Sequence, residues 1–166
     1  MTSLAILSIL HDTTVDGPGF RTSIYAAGCM HRCAGCHNPQ SWTKENGKIY
    51  SITQVLQEIK TDEFAQVTFS GGDPLLQVHE FAQLARRIKA ETTKNIWCYT
   101  GFTYEEVIQS DELSIILPHI DVLVDGKYED KQRTLDLPFR GSRNQRIIDV
   151  VQSLRKGEII LLENYR

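Results

Sequence analysis

The chain has 166 residues, with 18 Lys and Arg against 21 Asp and Glu, a formal net charge of −3. That length suits one domain burying about 70% of its unfolded surface without disulfide staples, and 41% apolar with 23% charged residues excludes a largely disordered chain. A slightly acidic balance with no block of like charge argues against direct nucleic-acid and membrane-surface partners, which select basic surfaces.

The N-terminal stretch as far as Gly17 contains apolar residues but no basic leader, so it does not read as a signal peptide. No window approaches the roughly 18 uninterrupted apolar residues of a membrane span. Residues 21–27 (RTSIYAA) read as a strand that ends at a Gly-Cys corner. Residues 52–59 (ITQVLQEI) place Ile52, Leu56 and Ile59 on one helical face. A strand over residues 66–70 (QVTFS) stops at the turn Gly71-Gly72-Asp73-Pro74, and helical spacing resumes over 78–90 through Phe81, Leu84, Ala85 and Ile88. Residues 96–100 (IWCYT) predict a third strand. Thr103 and Glu106 then form a capping-box pattern that opens a helix. Residues 121–125 (DVLVD) predict a fourth strand, followed by a polar stretch to Arg146, a segment at 147–154 and an apolar run at 158–162.

Alternating buried strands and helices describe a parallel sheet covered by helices, an α/β chain. A βαβ unit takes about 30 residues and a closed eightfold barrel about 250. The expected architecture is therefore a partial, open βα barrel of about five to six parallel strands with outer helices, in one domain spanning residues 1–166. Four cysteines in a chain without a leader point to a reducing, cytoplasmic setting, where thiols serve as metal ligands or catalysts.

Three of those cysteines, Cys29, Cys33 and Cys36, form a C-x3-C-x2-C array in GCMHRCAGCHNP, directly after the first of these strands. Soft thiolates on one short loop suit an iron-sulfur cluster and zinc alike. A four-iron cluster held by three cysteines leaves one iron open to a small molecule. Zinc wants a closed tetrahedral set, whose fourth ligand would come from His37, His31 or Cys98. His37 adjoins Cys36, and neighbouring residues rarely ligate one ion with good geometry. Cys98, between Trp97 and Tyr99 in a strand, reads as a small core residue.

The array does not stand alone: DGPGFR (16–21) precedes it, HNPQSW (37–42) follows, and SGGDPL (70–75), YTGF (99–102), DVLVDGKY (121–128) and RGSRNQRIID (140–149) come after in order. Together, over about residues 14–150, these motifs resemble the radical S-adenosylmethionine enzymes. Within them the likeness is to the activases of glycyl-radical enzymes that serve anaerobic ribonucleotide reductase.

The resemblance implies a [4Fe-4S] cluster on Cys29, Cys33 and Cys36, with the amino and carboxylate groups of S-adenosylmethionine on the open iron. It implies reductive cleavage to methionine and a 5′-deoxyadenosyl radical, which takes hydrogen from a glycine Cα of the catalytic subunit of anaerobic ribonucleoside-triphosphate reductase. An electron donor such as a flavodoxin or ferredoxin is the second implied partner. Many superfamily members have an aromatic residue where this chain has Gly35, so adenine recognition is expected from backbone groups of Gly35, Cys36 and His37. Gly71, Gly72 and Asp73 match the cofactor-binding corner, with Asp where related patterns often end in Glu. Asp125 and Lys127 match the family's Asp-x-Lys, facing the cofactor, and Thr100 is a weaker candidate for the same pocket.

Arg140, Arg143 and Arg146 read either as a solvated face or as a rim that engages the reductase. The DGPGFR segment reads either as a turn or as a loop that brings Arg21 near cofactor or partner. Two other functions stay open: activation of another glycyl-radical enzyme such as pyruvate formate-lyase, and a non-catalytic zinc or iron-sulfur module.

Overall fold

A computed structural model describes residues 2–36 and 39–165. Its strands are β1 (Ser3–Thr13), β2 (Arg21–Ala26), β3 (Lys48–Ser51), β4 (Gln66–Gly71), β5 (Ile96–Tyr99), β6 (Val122–Asp125) and β7 (Arg146–Asp149). Its α-helices are α1 (Ile52–Lys60), α2 (Val78–Glu91), α3 (Tyr104–Gln109) and α4 (Val150–Lys156). Among the described residues one seven-stranded sheet runs in the order β3-β1-β2-β4-β5-β6-β7.

The middle of the sheet is parallel, β2 to β4, β4 to β5 and β5 to β6. Both flanks are antiparallel, β1 against β2 and β3, and β7 against β6. The α/β class therefore holds, but the expected five to six parallel strands reduce to four, in an open sheet of mixed direction. β1 and β3 had not been anticipated as strands. Antiparallel pairing needs no helical crossover, so the strand-helix alternation that announces parallel strands gives no sign of the flanks.

Strand side chains alternate between two faces. Ile24 and Ala26 of β2, Val67 and Phe69 of β4, Ile96 and Cys98 of β5, and Leu123 of β6 face one apolar core. Helical elements complete it, chiefly through Val55, Leu56 and Ile59 of α1; Phe81, Leu84, Ala85 and Ile88 of α2; Val107 of α3; and Ile116 and Leu117 of the 3-10 helix Leu113–His119. Both anticipated long helices begin where predicted, and α1 opens with a capping box between Ser51 and Gln54. The Thr103–Glu106 capping box is present at the start of α3. Asp149 caps α4, whose last turn closes on left-handed Gly157. The segment at 147–154 thus divides into most of β7 and the first turns of α4.

The opposite face of the sheet is covered by loops. Near β5 to β7 it is apolar, where Trp97, Val122, Val124 and Ile147 meet Phe139, Leu162 and Tyr165. Towards β2 and β4 it is polar, where Arg21 is fully buried. The Arg21 guanidinium donates to Thr68 Oγ1 at 2.7 Å, Val67 O at 2.8 Å, Asn95 Oδ1 at 2.6 Å and Pro18 O at 3.0 Å, and lies 5.5 Å from the Trp97 ring centre. Burial pulls its pKa down to about 10.

Arg21 begins β2 and the cysteine loop follows the other end, ~17 Å away along the strand. Of the two readings of the DGPGFR segment, the geometry favours the turn: Arg21 staples the 16–20 loop beneath β4 and β5, at the end of β2 away from the cysteines. Arg21→Met is expected to cost about 3 kcal/mol, because four acceptors, among them the buried Thr68 hydroxyl and Val67 carbonyl, lose their donor. Arg21→Lys recovers little, since one ammonium cannot span the same fork. Urea unfolding midpoints of the two variants check this.

Candidate active site

Parallel strands deliver their carboxyl ends to one edge, where α/β sheets gather ligands. β2 there runs into Ala27 and the left-handed Gly28, after which the three cysteines begin. The loop is tied down on both sides. Gly28 N donates to Ser41 O at 2.6 Å and Cys29 N to Trp42 O at 3.2 Å, while Asp73 N donates to Gly28 O at 2.8 Å.

The glycine corner after β4 makes this close approach possible. Gly71 has a φ of +98°, and a Cβ there would lie 2.4 Å from Ala26 N. A Cβ on Gly72 would lie 2.3 Å from Gly28 O. These two positions admit only glycine because backbone, not side chain, is the neighbour.

Cys29, Cys33 and Cys36 line one cleft of about 230 Å³ together with Gly71, Gly72, Ser70, Tyr99, Thr100 and Tyr128. All three thiols are partly buried. Burial raises the pKa of Cys29 and Cys33 in the metal-free protein, and backbone amides next to each sulfur work against that rise. Cys98 lies wholly inside the core with its pKa pushed well up by burial, as its strand position predicted.

The donor set fits a polynuclear cluster better than a single ion. Zinc, about 2.3 Å from each sulfur, requires a tight tetrahedral set. Among the described residues no three His, Cys, Asp or Glu side chains converge closely enough to hold one ion. Of the further zinc ligands weighed from sequence, His31 is engaged by Asp73 and Cys98 is in the core. His37 lies outside the described residues, so its expected backbone contact with adenine does too.

The remaining expected residues divide. Gly71, Gly72 and Thr100 line the cysteine cleft, whereas Asp125 and Lys127 line an adjoining cleft of about 510 Å³ with Glu105, Glu129, Asn144 and Arg146. The two clefts share Gly101 and Gly126. Gly35 sits at an exposed turn with a φ of +76°, where a Cβ would press within 2.8 Å of Asp130 Oδ1. Lys127 is exposed.

Both expected carboxylates are 1% exposed and engaged by the protein. Asp125 Oδ2 accepts from Arg146 Nη2 at 2.6 Å and from Tyr104 N at 2.8 Å, which caps α3. Arg146 also grips Glu105 at 2.7 Å, and these two partners hold its charge firmly, pulling the Glu105 carboxyl below its ordinary range. Arg146 is thus a structural member of the basic trio. Arg140 is half-buried and Arg143 exposed, and Gly141 and Gln145 between and beyond them line the cysteine cleft.

Ser70, Tyr99, Tyr128 and Gln145 were not anticipated as cleft residues. For the first three a signal existed: Ser70 and Tyr99 lie at the carboxyl ends of parallel strands, and Tyr128 stands three residues beyond the end of β6 at the same edge. Gln145 carries no such signal. Its amide takes the Gly141 and Ser142 N–H groups and donates to Gly126 O, fixing the far wall of the cleft.

No helix among the described residues is long and apolar enough to cross a membrane. Residues 15–148 match the family described as a 4Fe-4S single cluster domain. The chain is 38% identical over 139 residues to the anaerobic ribonucleoside-triphosphate reductase-activating protein of Vibrio cholerae, covering 79% of this chain and 88% of that protein. The protein of the same description from Enterobacteria phage T4 is 35% identical over 139 residues, covering 80% and 86%. That of Escherichia coli K12 is 34% identical over 149 residues, covering 85% and 93%.

Proposed function

Given that the chain belongs to the family of anaerobic ribonucleoside-triphosphate reductase-activating proteins, we propose that it is a radical S-adenosylmethionine enzyme that places a glycyl radical on that reductase. The observation that carries this reading is the meeting of Cys29, Cys33 and Cys36 with the side-chain-free corner Gly71-Gly72 in one cleft at the carboxyl edge of the parallel strands. Three cysteines would hold a [4Fe-4S] cluster and leave one iron for S-adenosylmethionine. When bound, the cluster supplies the electron that cleaves the sulfonium carbon-sulfur bond, giving methionine and a 5′-deoxyadenosyl radical that takes a hydrogen atom from the glycine Cα.

The protein's own part is to place and shield. Backbone carbonyls of the Gly71-Gly72 corner accept the ammonium of the cofactor, because no Cβ blocks their approach. Lys127, exposed in the adjoining cleft, offers a cation to its carboxylate. Asp125 supports this arrangement from below by holding Arg146 and the start of α3. This chemistry requires a one-electron donor, such as a flavodoxin or ferredoxin.

The test is anaerobic reconstitution with iron and sulfide, reduction, and incubation with S-adenosylmethionine and the reductase. A glycyl-radical doublet in the electron paramagnetic resonance spectrum of the reductase, with methionine released, is the expected result. A colourless protein that retains one zinc and cleaves nothing contradicts it. A doublet only with pyruvate formate-lyase would reassign the substrate.

A further inference from the structure

We propose that His31 and Asp73 form a strut that fixes the cysteine loop against the end of β5, and that Asp73 serves this purpose in place of touching the cofactor. The inference rests on the cluster reading above. His31 lies between Cys29 and Cys33, and its Nε2 sits 2.6 Å from Asp73 Oδ2, with the two side chains 5% and 1% exposed.

The same oxygen accepts from Thr100 Oγ1 at 2.9 Å and from Gly101 N at 2.9 Å. The other oxygen accepts from Leu75 N at 2.9 Å, capping the 3-10 helix Pro74–Gln77. One carboxylate therefore joins the loop, the end of β5 and its own corner.

The packing is as specific as the hydrogen bonds. The imidazole stands edge-on to Phe102, 4.6 Å between ring centres. It rests on Gly101, where a Cβ would lie 2.4 Å from its Cδ2. The next residue, Arg32, holds a left-handed φ of 50°. With His31 docked and Arg32 turned, the chain returns to the cleft at Cys33, so the His31 anchor sets the spacing between the first two sulfurs.

Asp73 is absent from the lining of the cysteine cleft and has four protein donors on two oxygens. A buried carboxylate so saturated has little capacity for an ammonium. Its short arm also explains Asp where related patterns often end in Glu: bonding to the amide two residues on is an Asp geometry that a longer side chain loses.

The strut is tested on anaerobic protein in two forms, neither of which requires turnover. Iron-free protein is alkylated under reducing conditions and the modification of Cys29 and Cys33 is followed by mass spectrometry. Reconstituted protein without S-adenosylmethionine is reduced and its electron paramagnetic resonance spectrum recorded. His31→Leu, Asp73→Asn and Asp73→Glu are each expected to speed alkylation of Cys33 by ~10-fold or more, as a held loop opens, and to split the cluster signal into several species. His31→Gln, whose amide can still donate to Asp73, is expected to recover most of the protection and a single signal.

Wild-type protection and spectrum in His31→Leu overturn the strut, as does a His31→Gln variant no better than His31→Leu. Wild-type protection and a single signal in both Asp73→Asn and Asp73→Glu would likewise remove Asp73 from the strut. Should His31→Leu fail to fold by circular dichroism, the contrast between His31→Gln and Asp73→Glu decides. If the wild-type protein takes up no iron, the cluster reading fails while the alkylation series still judges the strut.

Discussion

Replacing Cys29, Cys33 or Cys36 with alanine, one at a time, is expected to bring glycyl-radical formation on the reductase down to background while changing the stability of the iron-free protein by less than about 1 kcal/mol. The three thiols are partly exposed loop residues that line a cleft, so their removal leaves no cavity in the core. Cys98→Ala is expected to behave in the opposite way. It removes a fully buried sulfur that packs with the strand core, costing about 1 kcal/mol or more with iron content and radical yield intact. Iron and sulfide analysis beside chemical unfolding separates the two classes. Loss of iron in Cys98→Ala, or full radical yield in any of the three loop variants, would contradict the assignment of ligands.

The second large effect belongs to a residue with no side chain. Gly72→Ala is expected to destabilise the protein by about 3 kcal/mol and to impair cluster assembly at the same time. A Cβ there meets Gly28 O at 2.3 Å and Ser41 O at 2.8 Å. Both neighbours are backbone, so relief requires the whole cysteine loop to move off the end of β4. Gly157→Ala is a useful control. A Cβ there finds nothing within 4 Å, although its φ of +71° still carries strain, so about 1 kcal/mol is expected with the cluster unaffected. Thermal unfolding together with iron content per chain measures both effects. Equal iron retention in Gly72→Ala and Gly157→Ala would show that the corner does not support the loop.

Much of the parallel centre was legible because its signals are local. Isoleucine, valine and phenylalanine alternate with small or polar residues along β2 and β4, and Thr103 and Glu106 announce a helix start by their spacing alone. β1 was not legible. Its two register shifts against β2 break the period-two pattern, and its run at residues 10–12 is exposed. β7 and α4 share one short segment, 147–154, in which the change from period two to helical spacing is too brief to see.

The site divides along the same line. Cysteine spacing singled out the three thiols proposed here as cluster ligands, since thiols that serve a cluster gather on one short loop. The carboxylates were identified by type and position, but their partners were hidden: Asp73 meets His31 across 42 residues, and Asp125 meets Arg146 across 21. Such pairings are set by which strand ends share an edge, a property of the folded sheet. A motif shows that an acid stands at a strand end. Whether that acid faces a ligand or a protein donor depends on the neighbouring loop.

The measurement closest to the centre of this account is Mössbauer spectroscopy of iron-57-reconstituted protein before and after addition of S-adenosylmethionine. Three protein thiolates and one open corner predict that a single iron in four changes its isomer shift towards higher coordination when the cofactor is added, the other three holding theirs. Four equivalent irons that ignore the cofactor, or a preparation in which no cluster forms, would contradict it.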